Sequence, residues 1–92
     1  MAKQPVRVHI FNQSYSLLTE SDPGEVQTLA QEVDELMSSI ASRTGSGDST
    51  RVAVLTCLHL ADKLQAMEKQ LQKFEDKSEK IAALLEATLE LR

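Results

Sequence analysis

Few residues in this 92-residue chain could do covalent or metal chemistry: one cysteine, Cys57, two histidines, His9 and His59, and 14 carboxylates. A thiol turns nucleophilic when a nearby base or cation draws off its proton and solvent can reach it. His59 sits two residues from Cys57, and on a helix that spacing puts the two side chains on different faces. Cys57 is therefore read as a small buried hydrophobe. His9 and His59 are read as structural or surface groups rather than zinc ligands. No glycine-rich loop is present to cradle a phosphate, and no pair of carboxylates can be placed in a cleft. Asp22 and Asp48 each precede a helical run, where an aspartate is best explained as a cap. The reading is a non-enzyme with no catalytic residue, no metal and no cofactor.

Composition narrows the class further. The net charge of −4 argues against nucleic acid as a partner. Residues 1–60 carry four basic and seven acidic side chains, and residues 61–92 six and seven. The second half is thus charge-rich but nearly balanced, as a solvated helix would be. No run of about 18 apolar residues exists to cross a bilayer, so no membrane partner is expected. MAKQPVRVHIF lacks the apolar core of a secretory signal. One cysteine allows no intramolecular disulfide and suits a reducing cytoplasm. Aromatics make up 3% of the chain, as Phe11, Tyr15 and Phe74, so the core is expected to be small and aliphatic.

The elements that position these groups follow from hydrophobic period. VRVHIF alternates, with Val6, Val8 and Ile10 on one face, and SYSLLT follows with Tyr15 and Leu17 on one face. The two runs predict a β-hairpin over 6–19, turning at Asn12-Gln13. Asp22, Pro23 and Glu25 mark a capped helix start. Val26, Leu29, Ala30, Val33, Leu36, Met37 and Ile40 then recur at helical steps, predicting an amphipathic helix over about 23–43. Gly45, Ser46 and Gly47 make a short link. A second helix, capped by Asp48 or Ser49, meets no proline or glycine from there to Arg92, a rod of roughly 65 Å at 1.5 Å per residue.

That helix changes character along its length. Val52, Ala53, Val54, Leu55, Cys57, Leu58 and Leu60 point several ways, which predicts burial by the hairpin and first helix on one side and by a second subunit on another. From Leu64 the spacing tightens to a seam: Leu64, Met67, Leu71, Phe74, Ser78, Ile81, Leu85 and Thr88 alternate steps of three and four over about four heptads. Near the end the stripe widens, with Leu84 and Leu91 on one flank and Leu89 on the other, as in a four-helix bundle. The fold expected is α+β. A hairpin and an amphipathic helix form a small head over 1–61, and a coiled-coil stalk for oligomerisation spans 62–92. An isolated chain would leave the stripe in water, so a homodimer is expected, with dimers pairing into a tetramer.

PVRVHIFNQSYSL, the capped helix, the polar link and DSTRVAVLTCLHLADKL entering a coiled coil together resemble the ZapA family of bacterial cell-division proteins. Arg51-Val52-Ala53-Val54-Leu55 with Leu58 is the most specific part, and IFNQSYSL the second. The family often has glycine where this chain has Asn12, and asparagine where it has His59. The resemblance implies a cytoplasmic protein at the mid-cell division site. It implies dimers with a globular head, joined through antiparallel stalks into tetramers that bridge protofilaments of the tubulin-like GTPase FtsZ. The family's contact surface, carried onto this chain, falls on Gln13 and Ser16 of the hairpin, Ala41, Arg43 and Gly45 at the end of the first helix, and Thr50 and Leu55 of the second. Most of these are neutral here, and FtsZ proteins are typically acidic, as this head is. Arg43, Arg51 and Arg7 are therefore expected to carry the contact. The competing reading is a generic coiled-coil scaffold or co-chaperone that binds its partner through the stalk. A redox or metal enzyme built on Cys57 and the histidines ranks last.

Overall fold

A computed structural model describes residues 2–90 of the chain. Two strands, β1 (Gln4–Ile10) and β2 (Gln13–Thr19), pair antiparallel, with Val6 opposite Leu17, Val8 opposite Tyr15 and Ile10 opposite Gln13. The turn is Phe11-Asn12 rather than Asn12-Gln13, and both residues are left-handed, at φ 48° and 65°. Two consecutive positive φ angles form the tight hairpin turn whose twist matches the strands. Moving the turn by one residue shifts the register by two. The alternation of faces therefore survives: Val6, Val8 and Ile10 still share a face with Tyr15 and Leu17.

Helix α1 (Pro23–Thr44) begins as its sequence dictates. The Asp22 carboxylate accepts from the Gly24 amide at 3.4 Å, and Pro23 fills the first helical position, where no amide donor is needed. The helix ends on Gly45, whose φ of 66° suits a residue without Cβ. Helix α2 (Ser49–Glu90) starts on Asp48, which accepts the Thr50 amide through its side chain at 3.1 Å and the Val52 amide through its carbonyl at 3.0 Å.

Contacts divide the chain between Leu58 and His59. The first unit holds the core. Val6, Val8 and Ala30 form one buried cluster; Met37, Ile40 and the fully buried Val52 form another, and Ile10 packs against both. Thr56, also buried, donates its hydroxyl to the Val52 carbonyl at 2.7 Å, so burial leaves it no unmet hydrogen bond. One further bond spans the unit: the Phe11 amide donates to the Asp34 carboxylate at 2.7 Å, tying the hairpin turn to α1.

Three expectations change. Cys57 is exposed in the single chain, not buried. It lies one residue past Thr56, where α2 borders an open groove beside the hairpin turn rather than packed side chains. Leu29 is exposed too, because α1 is covered along Ala30, Met37 and Ile40, and Leu29 falls beside that line. Tyr15 and Leu17 share the face of Val6 and Val8 yet remain nearly half exposed, since α1 packs over β1 and leaves β2 uncovered. The second unit is α2 alone from His59 onward, with the seam side chains in solvent.

Candidate interaction surfaces

The first unit presents an open, mainly apolar groove of about 650 Å³ between the hairpin turn and the start of α2. Phe11, Gln13 and Tyr15 line it from the hairpin, and Thr50, Val54 and Cys57 from α2. Two of the expected contact residues, Gln13 and Thr50, therefore meet at one site. Ser16 does not join them: it pairs across the strands with Arg7, and adjacent strand positions alternate in face, so both lie opposite the Val6–Val8 face. Arg7 instead borders a smaller cleft of about 230 Å³ with His9, Gln27, Gln31 and Asp34. His9 is held there by a 3.2 Å hydrogen bond between Nδ1 and the Ser14 hydroxyl.

The remaining head positions group by burial. Arg43 is exposed in the last turn of α1, its guanidinium donating to the Ser39 hydroxyl at 3.1 Å. Gly45 is exposed, and a Cβ added there would meet nothing within 4 Å. Ala41 and Leu55 are half-buried against the Met37–Ile40–Val52 cluster, which gives them a packing role in the single chain. Arg51 is exposed in the first turn of α2, a turn without any acidic residue. A cation there opposes the helix dipole, which favours negative charge at an N-terminus by about 0.3–1 kcal/mol. Helix stability does not account for Arg51.

In the second unit the seam is laid bare. Leu64, Met67, Leu71, Phe74, Ile81, Leu84, Leu85 and Leu89 are each 58–68% exposed, far more than an apolar row of this length would be if it had a covering partner. Thr88 donates to the Leu84 carbonyl at 2.8 Å, so its hydroxyl is satisfied on its own helix. Leu91, expected on the widened flank, lies outside the described residues. Among the described residues no cluster of His, Cys, Asp or Glu is placed to hold a metal ion. No described helix is long and apolar enough to cross a membrane.

Neither the groove nor the Asp34 tie leaves a local pattern in the sequence. A faint signal existed for the groove: Tyr15 and Val54, which line it, are apolar side chains that the single chain does not cover.

Comparison with known proteins gives consistent results. The family model described as "Cell division protein ZapA" matches residues 6–90. A protein of that description from Shouchella clausii is 31% identical over 68 residues, covering 74% of this chain and 87% of the relative. Another, from Halalkalibacterium halodurans, is 30% identical over 73 residues, covering 79% and 80%. Among solved structures, a ZapA mutant dimer from Geobacillus stearothermophilus superposes with a TM-score of 0.65 at 23% identity, covering 84% of this chain and 90% of that one.

Proposed function

The chain belongs to the ZapA family of cell division proteins, and from that premise we propose that it is a non-enzymatic cross-linker of FtsZ protofilaments at the mid-cell division site. The first unit binds the filament. The second associates with further copies, first as a homodimer and then as a dimer of dimers. An assembly with several binding units converts each later contact into an intramolecular one, so weak individual contacts suffice to hold two filaments together. The mechanism is geometric, and no covalent step is asked of Cys57 or the histidines.

The observation that carries this reading is the exposed seam, which leaves a row of large apolar side chains in water unless other copies cover it. The Geobacillus stearothermophilus ZapA mutant, a dimer, agrees with that. For the filament contact the exposed cations are favoured, Arg51 and Arg43 first and Arg7 after them. Gln13, Ser16, Gly45 and Thr50 supply polar and backbone contacts, while Ala41 and Leu55 hold the surface in shape. Arg51 leads because it sits where its charge does the helix no good.

Co-sedimentation with FtsZ polymers from the same organism tests the reading. The wild-type protein is expected to pellet with filaments, and Arg51→Glu to lose most of that binding. The substitution suits the helix dipole, so a loss would not reflect unfolding. Wild-type protein that stays folded, oligomeric and in the supernatant would overturn the proposal and leave the stalk-binding scaffold as the better reading.

A further inference from the structure

Charges on the second unit are sorted by sign in a way that its own helix does not use. Lys69, Lys73 and Lys80 fall within about 40° of one another at 3.6 residues per turn, with Lys77 about 40° further toward the seam. All four are exposed, and the first three lie on the side of the helix away from the seam, so copies that cover the seam leave them in solvent. Glu68, Glu75, Glu79 and Glu86 gather on another face, apart from both seam and lysines. Such sorting costs helix stability. Lys69 and Lys73, and again Lys73 and Lys77, are like charges four residues apart, which repel on a helix surface. Among the residues three or four away from any of these lysines, Asp76 is the single acid, and its carboxylate is already engaged by the Gln72 side-chain amide at 3.2 Å. Intrahelical pairing therefore does not account for the row.

We propose that Lys69, Lys73, Lys77 and Lys80 form a docking ridge for an acidic segment of a partner protein, lying extended along the second unit. Charge complementarity selects the partner, and spacing selects its conformation. Each step from Lys69 to Lys73 to Lys77 rises about 6 Å along the helix. Alternate side chains of an extended chain are about 6.6 Å apart, so carboxylates at every second position meet the row. Nucleic acid fits less well. From Val52 to Leu89 no arginine offers a forked grip on phosphate, the one aromatic, Phe74, belongs to the seam, and the chain is anionic overall. The ridge is separate from the filament contact proposed for the first unit, and neither needs the other.

Exposed ion pairs are individually weak and are screened by salt, so binding needs the whole row. The test compares the full-length protein with a variant carrying Lys69→Gln, Lys73→Gln and Lys80→Gln, changes that keep helix propensity and relieve the repulsion. The probe is a fluorescently labelled peptide of alternating glutamate and serine, followed by anisotropy. At low salt it should bind wild type saturably and the variant about tenfold more weakly, and raising the salt should abolish binding to both. The variant should keep the wild-type oligomeric state by sedimentation and still pellet with FtsZ filaments. Equal peptide binding by both proteins, or none by wild type, would overturn the ridge and leave the filament reading untouched. Loss of filament pelleting together with the peptide would make the row part of the filament contact and overturn it as a separate site. Tighter binding of an oligothymidylate than of the peptide would overturn it in favour of nucleic acid.

Discussion

At the hairpin turn the Phe11 amide donates to a carboxylate 23 residues away, Asp34, at 2.7 Å in a partly buried setting. A hydrogen bond to a charged group is worth more than a neutral one, and removing the acceptor strands the donor. Asp34→Ala should therefore cost about 2 kcal/mol, and Asp34→Asn, which keeps an acceptor, clearly less. Urea denaturation at fixed protein concentration checks the order; equal losses would deny the bond a role. Beside it, Asn12 holds φ 65°, a conformation glycine adopts freely. Asn12→Gly should leave stability unchanged or raise it by a few tenths of a kcal/mol. Val52, fully buried where α2 meets α1, offers the opposite case: Val52→Ala should cost about 2 kcal/mol through lost burial and the cavity left behind. Cys57 lies exposed in the groove, so its thiol is not required by the packing of the single chain.

At the scale of elements, the caps decide where each helix begins. Asp48 accepts two amides at the start of α2, and Asp48→Ala should destabilise the first unit by about 1 kcal/mol, with Asp48→Ser recovering most of it. A thermal melt that moves equally for both variants would contradict that role. The strand alternation, the Asp22-Pro23 start of α1 and the unbroken run of α2 were all legible in the sequence, because each rests on a local period or a local hydrogen bond. The turn was not. Phenylalanine is a poor candidate for a left-handed position, and Phe11 is held there by Asp34 and by packing against the second core cluster. Local preference carries no trace of a contact so distant in sequence. The groove escaped for the same reason: Gln13 and Thr50 come from elements far apart in sequence, and only packing shows that they meet. Exposure of Tyr15 and Leu17 follows from which strand α1 covers, and alternation alone cannot choose between β1 and β2.

For the molecule as a whole, the heptad spacing from Leu64 onward marks as one stripe the apolar side chains that the single chain leaves uncovered. A charge in the seam should therefore dissolve the assembly without touching the core of the first unit. Leu71→Asp with Phe74→Asp is expected to give a monomer by sedimentation equilibrium, with the first unit still folded. Cross-linking by geometry requires both a filament contact and self-association, so that variant separates binding from bundling. The most direct test is differential sedimentation of FtsZ filaments with wild type and with the seam variant. High-speed pellets report binding, and low-speed pellets report bundles. Wild type should appear in both, whereas the seam variant should bind, more weakly for want of a second attachment, and produce no bundles. A monomeric variant that bundled filaments as well as wild type would contradict the account.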